Sequence, residues 1–117
     1  MMTFKVTEEN DDRVLAYLYY DREKDIYHMR VPDDVEERDM PFLLHELYKK
    51  DGSREFDDYW SRKFVQNRVP PPSRQNIGQI LRAAGLKWYN EIDLMQITDG
   101  RCPQDNYLVT LVETTDE

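Results

Sequence analysis

A disulfide framework is excluded at the outset. The 117 residues hold one cysteine, Cys102, which fits a reducing, cytoplasmic setting. No apolar run approaches the roughly 18 residues of a membrane span, and the opening residues MMTFKV lack the apolar stretch of a secretory leader. Neither export nor a membrane partner is expected. Glycine is scarce: the 4 glycines are scattered like turn and helix terminators, and none belongs to a loop that could cradle phosphates. The 2 histidines, His28 and His45, lie in different segments. With a single thiol they make a poor transition-metal set, which only carboxylates could complete. Neither a metal nor an organic cofactor is expected.

What is present points to a folded domain. Hydrophobic residues make up 39% and aromatics 12%, enough to drive folding although 34% of the residues are charged. Such a length supports one modest core, so residues 1–117 are expected to form a single domain. Its charge is unevenly spread. Residues 1–58 hold 17 acidic and 9 basic side chains, a net −8, whereas residues 59–108 hold 4 and 7, a net +3; the last nine residues restore the overall −8. Direct binding to nucleic-acid phosphates needs clustered Lys and Arg and is not expected. The acidic half suits plain solvation or a basic partner. The candidate contacts are Asp33, Asp34, Glu36, Glu37 and Asp39 in one run, and Glu55, Asp57 and Asp58 in a second.

Local patterns predict an α+β fold. Phe4 and Val6 flank a lysine in a short β-like start. Residues 14–20 (VLAYLYY) and 26–31 (IYHMRV), joined by the polar turn 21–25 (DREKD), read as a hairpin. Residues 40–50 fit a helix capped by Asp39 and stopped at Asp51-Gly52, or an extended loop planting Phe42 and Leu43 in the core. Ser53 is the expected cap of a helix running to about residue 67, with Phe56, Tyr59, Trp60 and Phe64 as an inward stripe. Pro70, Pro71 and Pro72 break the chain. Ser73 then caps residues 74–84, where Ile77, Ile80, Leu81 and Ala84 recur at helical spacing before Gly85. Asn90 caps a shorter helix with Ile92, Leu94 and Met95 inward, closed by Asp99-Gly100. Residues 107–112 (YLVTLV) form a last strand that joins the hairpin, and residues 113–117 are expected to fray. The result is a small antiparallel sheet, from the hairpin and the C-terminal strand, against three or four short helices. Residues 1–58 supply the acidic hairpin and connection, and 59–112 the helical module and last strand.

Reactive chemistry is thin. Cys102 has no convincing neighbouring base and reads as an ordinary thiol. Carboxylate pairs such as Asp11-Asp12 and Asp57-Asp58 are adjacent in sequence, so they do not face each other on a helix. A non-catalytic role is expected. Arg74 begins a helix, the unfavourable end for a cation, so a specific acceptor is expected, with Asp105 as the candidate.

From residue 64 to residue 109 the order of residues resembles the N-terminal module of bacterial HipA-like serine/threonine kinases, the persistence-toxin type. The resemblance rests on Phe64, Arg68, Pro71 and Arg74, continues through Asn76-Ile77, Leu81 and Gly85-Leu86, and closes with Gly100, Asp105, Tyr107 and Val109. More loosely, residues 14–31 and Met40-Pro41 look like that module's hairpin and Leu-Pro segment. No nucleotide loop, catalytic aspartate or magnesium site of the kinase domain accompanies it. The resemblance implies that Arg68, Pro71, Arg74, Gly85, Gly100, Asp105 and Tyr107 are architectural. A free-standing copy is similar to the small component of split kinase-toxin systems, which restrains the kinase in trans. The leading expectation is therefore an antitoxin-like or accessory subunit docking on a HipA-like kinase. The alternative is an acidic mobile-element inhibitor that occupies the nucleic-acid channel of a defence nuclease, with carboxylates standing in for phosphates.

Overall fold

In the computed structural model, which describes residues 1–115, five strands form one antiparallel sheet with four helices between the third strand and the last. The strands are β1 (Met2–Glu8), β2 (Ala16–Asp21), β3 (Ile26–Arg30), β4 (Glu55–Phe56) and β5 (Tyr107–Thr114), in the spatial order β4-β3-β2-β1-β5. The expected α+β architecture is present, with the N-terminal strands and the C-terminal strand in one sheet. Strand alternation sets the core. Met2, Phe4 and Val6 of β1, Ala16, Leu18 and Tyr20 of β2, and Tyr27 and Met29 of β3 are buried, while Thr3, Lys5, Tyr17, Tyr19 and His28 between them are half-exposed.

The anticipated hairpin is β2–β3, closed by residues 22–25 with Asp25 in the left-handed region (φ 54°). The start of the chain forms more than a short β-like stretch. As β1 it pairs with β2 on one side and β5 on the other, so the earliest strand lies next to the last. The fraying expected from residue 113 onward does not occur at residues 113–115. Glu113 and Thr114 pair with Thr3 and Met2, and Met1 and Thr115 exchange hydrogen bonds of 2.7 and 2.8 Å. A long partner strand is available there, and its backbone groups satisfy the tail. The remainder of the predicted frayed tail, residues 116 and 117, lies outside the described residues.

Residues 40–50 resolve as helix α1 (Phe42–Asp51), entered from Pro41 and closed by Gly52 in the left-handed conformation (φ 71°). Asp39 is not its cap. It sits in a 3-10 turn (Glu37–Asp39) and pairs with Arg13 at 3.1 Å. Leu44 enters the core, while Phe42 is 76% exposed.

Helix α2 (Asp58–Gln66) starts later than expected because Asp57, not Ser53, caps it by accepting the Trp60 N–H. Ser53 folds a tight turn instead, and Phe56 is buried as part of β4, where it is registered with Met29. The predicted aromatic stripe is therefore split. Phe64 is buried with Ser61 and Val65, whereas Tyr59 is 57% exposed.

Helix α3 (Ile77–Ala84) also starts later than the Ser73 cap implies. The Arg74 N–H bonds to the Pro71 carbonyl and the Ile77 N–H to that of Arg74, so two successive turns use up the residues before the helix. Helix α4 (Glu91–Ile97) follows the expectation: the Asn90 side chain accepts the Asp93 N–H, and Ile92, Leu94 and Met95 are buried. Asp99 and Gly100 then both adopt left-handed backbone (φ 54° and 72°), which turns the chain toward β5.

Gly100 lies against β5 so closely that a Cβ there would stand 2.5 Å from that of Val109, whereas at Gly85 it would meet open space. Both positions have positive φ. Gly85→Ala is expected to cost about 1 kcal/mol from backbone conformation alone. Gly100→Ala is expected to cost about 3 kcal/mol or more, because overpacking adds to the conformational penalty. Urea denaturation of the two variants checks this; equal losses would show that the Gly100–Val109 approach carries no constraint.

Candidate partner-binding surfaces and the arginine tie

The turn that follows the C-cap of α2 delivers Arg68 into the interior, where its side chain is only 3% exposed. Its Nη1 and Nη2 donate to Asp105 Oδ2 and Oδ1 at 2.9 and 2.8 Å. Nε donates to the Gly100 carbonyl and Nη2 also to that of Tyr107 at 3.0 Å. The guanidinium lies 5.3 Å from the Phe64 ring centroid. Asp105 additionally accepts the Tyr107 N–H at 3.0 Å and lies 3.6 Å from the Cys102 thiol. A planar, permanently charged fork suits this site, since it satisfies a carboxylate and two carbonyls together. Burial by itself would raise the Asp105 pKa. The Arg68 hydrogen bonds, the Tyr107 N–H and the Arg68 charge outweigh it and hold the carboxyl below its ordinary range.

The expected Arg74–Asp105 bridge does not form. Asp105 is the acceptor, but the donor is Arg68, because the end of α2 faces the loop before β5. Arg74 is exposed, with Nε bonded to the Asn76 side chain at 3.0 Å. Of the seven residues that the resemblance marks as architectural, Arg68, Gly100, Asp105 and Tyr107 meet in one hydrogen-bonded unit. Pro71 and Gly85 act elsewhere, at the turn before α3 and at its C-cap.

The candidate acidic contacts fall into two classes. Asp33, Asp34, Glu36 and Glu37 are exposed around the 3-10 turn; Glu36 pairs with Arg38, and Glu37 lies 3.3 Å from His45. Asp33 and Asp34 make no side-chain ion pair among the described residues. The others have structural work: Asp39 holds Arg13, Asp57 caps α2, and Glu55 meets His28 at 3.3 Å. Asp58 accepts the Tyr27 N–H at 2.7 Å and pairs with Arg62.

That last contact opens a cluster which sequence reasoning missed. Arg62 lies 4.8 Å from the Tyr27 ring centroid, pairs with Asp58 at 3.1 Å and Glu91 at 3.6 Å, and donates to the Asp25 carbonyl at 2.7 Å. Tyr27 donates to Glu91 and Tyr20 to Asp25, each at 2.8 Å. Burial and the bond to Asp25 push the Tyr20 phenol up to about 12, and burial with the bond to Glu91 raises Tyr27 further. Both phenols are locked as donors: Tyr27 ties β3 to α4 and Tyr20 holds the β2–β3 turn, while Asp58 and Arg62 tie that hairpin to α2. The i, i+4 spacing of Asp58 and Arg62 was the legible signal; the remaining partners are distant in sequence.

Among the described residues, no group of three or more His, Cys, Asp or Glu is placed to hold a metal ion, and no helix is long and apolar enough to cross a membrane. No family model, curated protein or solved structure matches the chain.

Asp105→Asn removes the charge that faces a buried guanidinium and is expected to cost about 3–5 kcal/mol near neutral pH. The Asp105 pKa is depressed in the folded state, so its contribution is complete above the unfolded value of about 4 and fades as pH falls through the lower folded value. The stability gap between the native protein and the variant should therefore narrow as pH falls below about 4. Denaturation at a series of pH values tests this, and a gap that stays constant to pH 3 or so would contradict the assignment.

Proposed function

We propose that this chain is a non-catalytic regulatory binding protein, an antitoxin-like or accessory subunit that docks on a HipA-like kinase. The supporting observation is the convergence of Arg68, Gly100, Asp105 and Tyr107, dispersed parts of the resembled motif, in one buried tie. A chance similarity of order would not require those residues to be one unit. The exposed carboxylates Asp33, Asp34, Glu36 and Glu37 are the contact residues for a basic face of the kinase. Such charges raise encounter rate and select partners.

Affinity purification from the native host is expected to recover a serine/threonine kinase of this type. The combined variant Asp33→Lys, Asp34→Lys, Glu36→Lys and Glu37→Lys should weaken binding of the purified kinase at least about tenfold. Its circular dichroism should be unchanged, since these side chains lie outside the core. Repeated purification without a kinase overturns the reading. Recovery of a nuclease, with salt-sensitive binding that competes with its nucleic acid, replaces it with phosphate mimicry.

A further inference from the structure

Arg74 directs attention to a surface that the acidic residues do not share. It stands on the rim of an open groove of about 620 Å³ walled by α3, by the end of α4 and by the turn at residues 101–104. Pro70 and Pro71 line one end, Ile80 and Ala84 one wall, and Leu94 and Ile97 the other. Helix α3 has no buried residue, and Ile80 and Leu81 lean on the core while staying half-exposed. Ile97, on the opposite wall, is 53% exposed. The helix thus presents apolar positions at i, i+3, i+4 and i+7 (Ile77, Ile80, Leu81 and Ala84) that the described residues cover only in part.

Charge identifies the occupant. The protein is net −8, yet no acidic residue lines this groove, whereas Arg68, Arg74 and Arg101 do. Arg68 is neutralised by Asp105, and Arg101 has only a 3.7 Å exposed contact with Asp99. Arg74 has no carboxylate partner among the described residues. An apolar floor with two arginines at its rim complements a helix that carries aliphatic side chains on one face and carboxylates along the border.

We propose that the groove between α3 and α4 receives an amphipathic helix of a partner protein, with aliphatic residues against Ile80, Ala84 and Ile97 and carboxylates paired with Arg74 and Arg101. This site shares no residue with the acidic segment and does not depend on what that segment binds.

The probe is a synthetic amphipathic peptide of about 16 residues with Leu at i, i+3, i+4 and i+7 and Glu on the flanks, titrated into the full-length isotope-labelled protein. Saturable binding is expected, with amide shifts centred on Arg74, Ile80, Ala84 and Ile97. A Lys-flanked peptide should bind at least about tenfold more weakly, as should the Glu-flanked peptide to Arg74→Glu. Ala83→Glu, at an exposed position on the groove wall, is a second variant expected to weaken binding, and unchanged melting of both variants excludes unfolding as the cause. A proline in the middle of the peptide should abolish binding. Equal affinity for the two flank types, shifts elsewhere, or undiminished binding of the proline peptide overturns the proposal. Saturable binding of decanoate without binding of the peptide, or a dimer of this chain through the groove that the peptide does not dissociate, overturns it also.

Discussion

Almost everything C-terminal to α2 depends on one buried cation. Arg68 cannot shed its charge, so the fold must bring it acceptors, and it draws them from three places: the carboxylate of Asp105 and the carbonyls of Gly100 and Tyr107. Satisfying those bonds fixes where α2 ends relative to α4 and where β5 begins. The left-handed backbone at Asp99 and Gly100 is part of the same requirement. It turns a carbonyl toward Arg68 while letting Gly100 come within a methyl's width of Val109. The Val109 N–H closes the unit by donating to the Asp99 carbonyl at 2.7 Å.

A second polar cluster does comparable work at the turn end of β2 and β3. Arg62 and the phenols of Tyr20 and Tyr27 connect the β2–β3 turn to α2 and α4 with every strong donor occupied. In both clusters an arginine also rests on an aromatic ring, Phe64 for Arg68 and Tyr27 for Arg62. A small protein has little apolar volume, and these two sites stiffen it by coupling charge to aromatic surface. The unused carboxylates stay outside both clusters, which leaves Asp33 and Asp34 available for contact.

Much of the architecture was legible because it follows short-range rules. Runs of β-branched and aromatic residues marked β2, β3 and β5, Asn90 marked the start of α4, and Gly52 and Gly85 marked the ends of α1 and α3. Where expectations failed, a competing local interaction won. Asp57 outcompeted Ser53 as a cap because Phe56 was needed in the sheet, and the post-proline turns postponed α3 to Ile77. Partner choice across long separations was the weakest point: Asp105 was identifiable as an acceptor, but the bridge was assigned to Arg74, and the donor is Arg68, six residues earlier. The structural work of Asp57 and Asp58 was illegible for the same reason. A cap and an arginine partner look identical in sequence to a solvated acid.

The interior position of β1, between β2 and β5, has a consequence for how the molecule comes into being. Val6 pairs with Val109, so this inner strand of the sheet waits for a neighbour translated about 100 residues later. Until then the β1 side facing β5 is an open edge with apolar residues beside it, and the tie at Arg68 lacks Gly100, Asp105 and Tyr107. Contacts of such long sequence separation slow folding and leave nascent edges available to other chains. Closure of this side of β1 and neutralisation of the buried arginine then occur in one event, when β5 arrives.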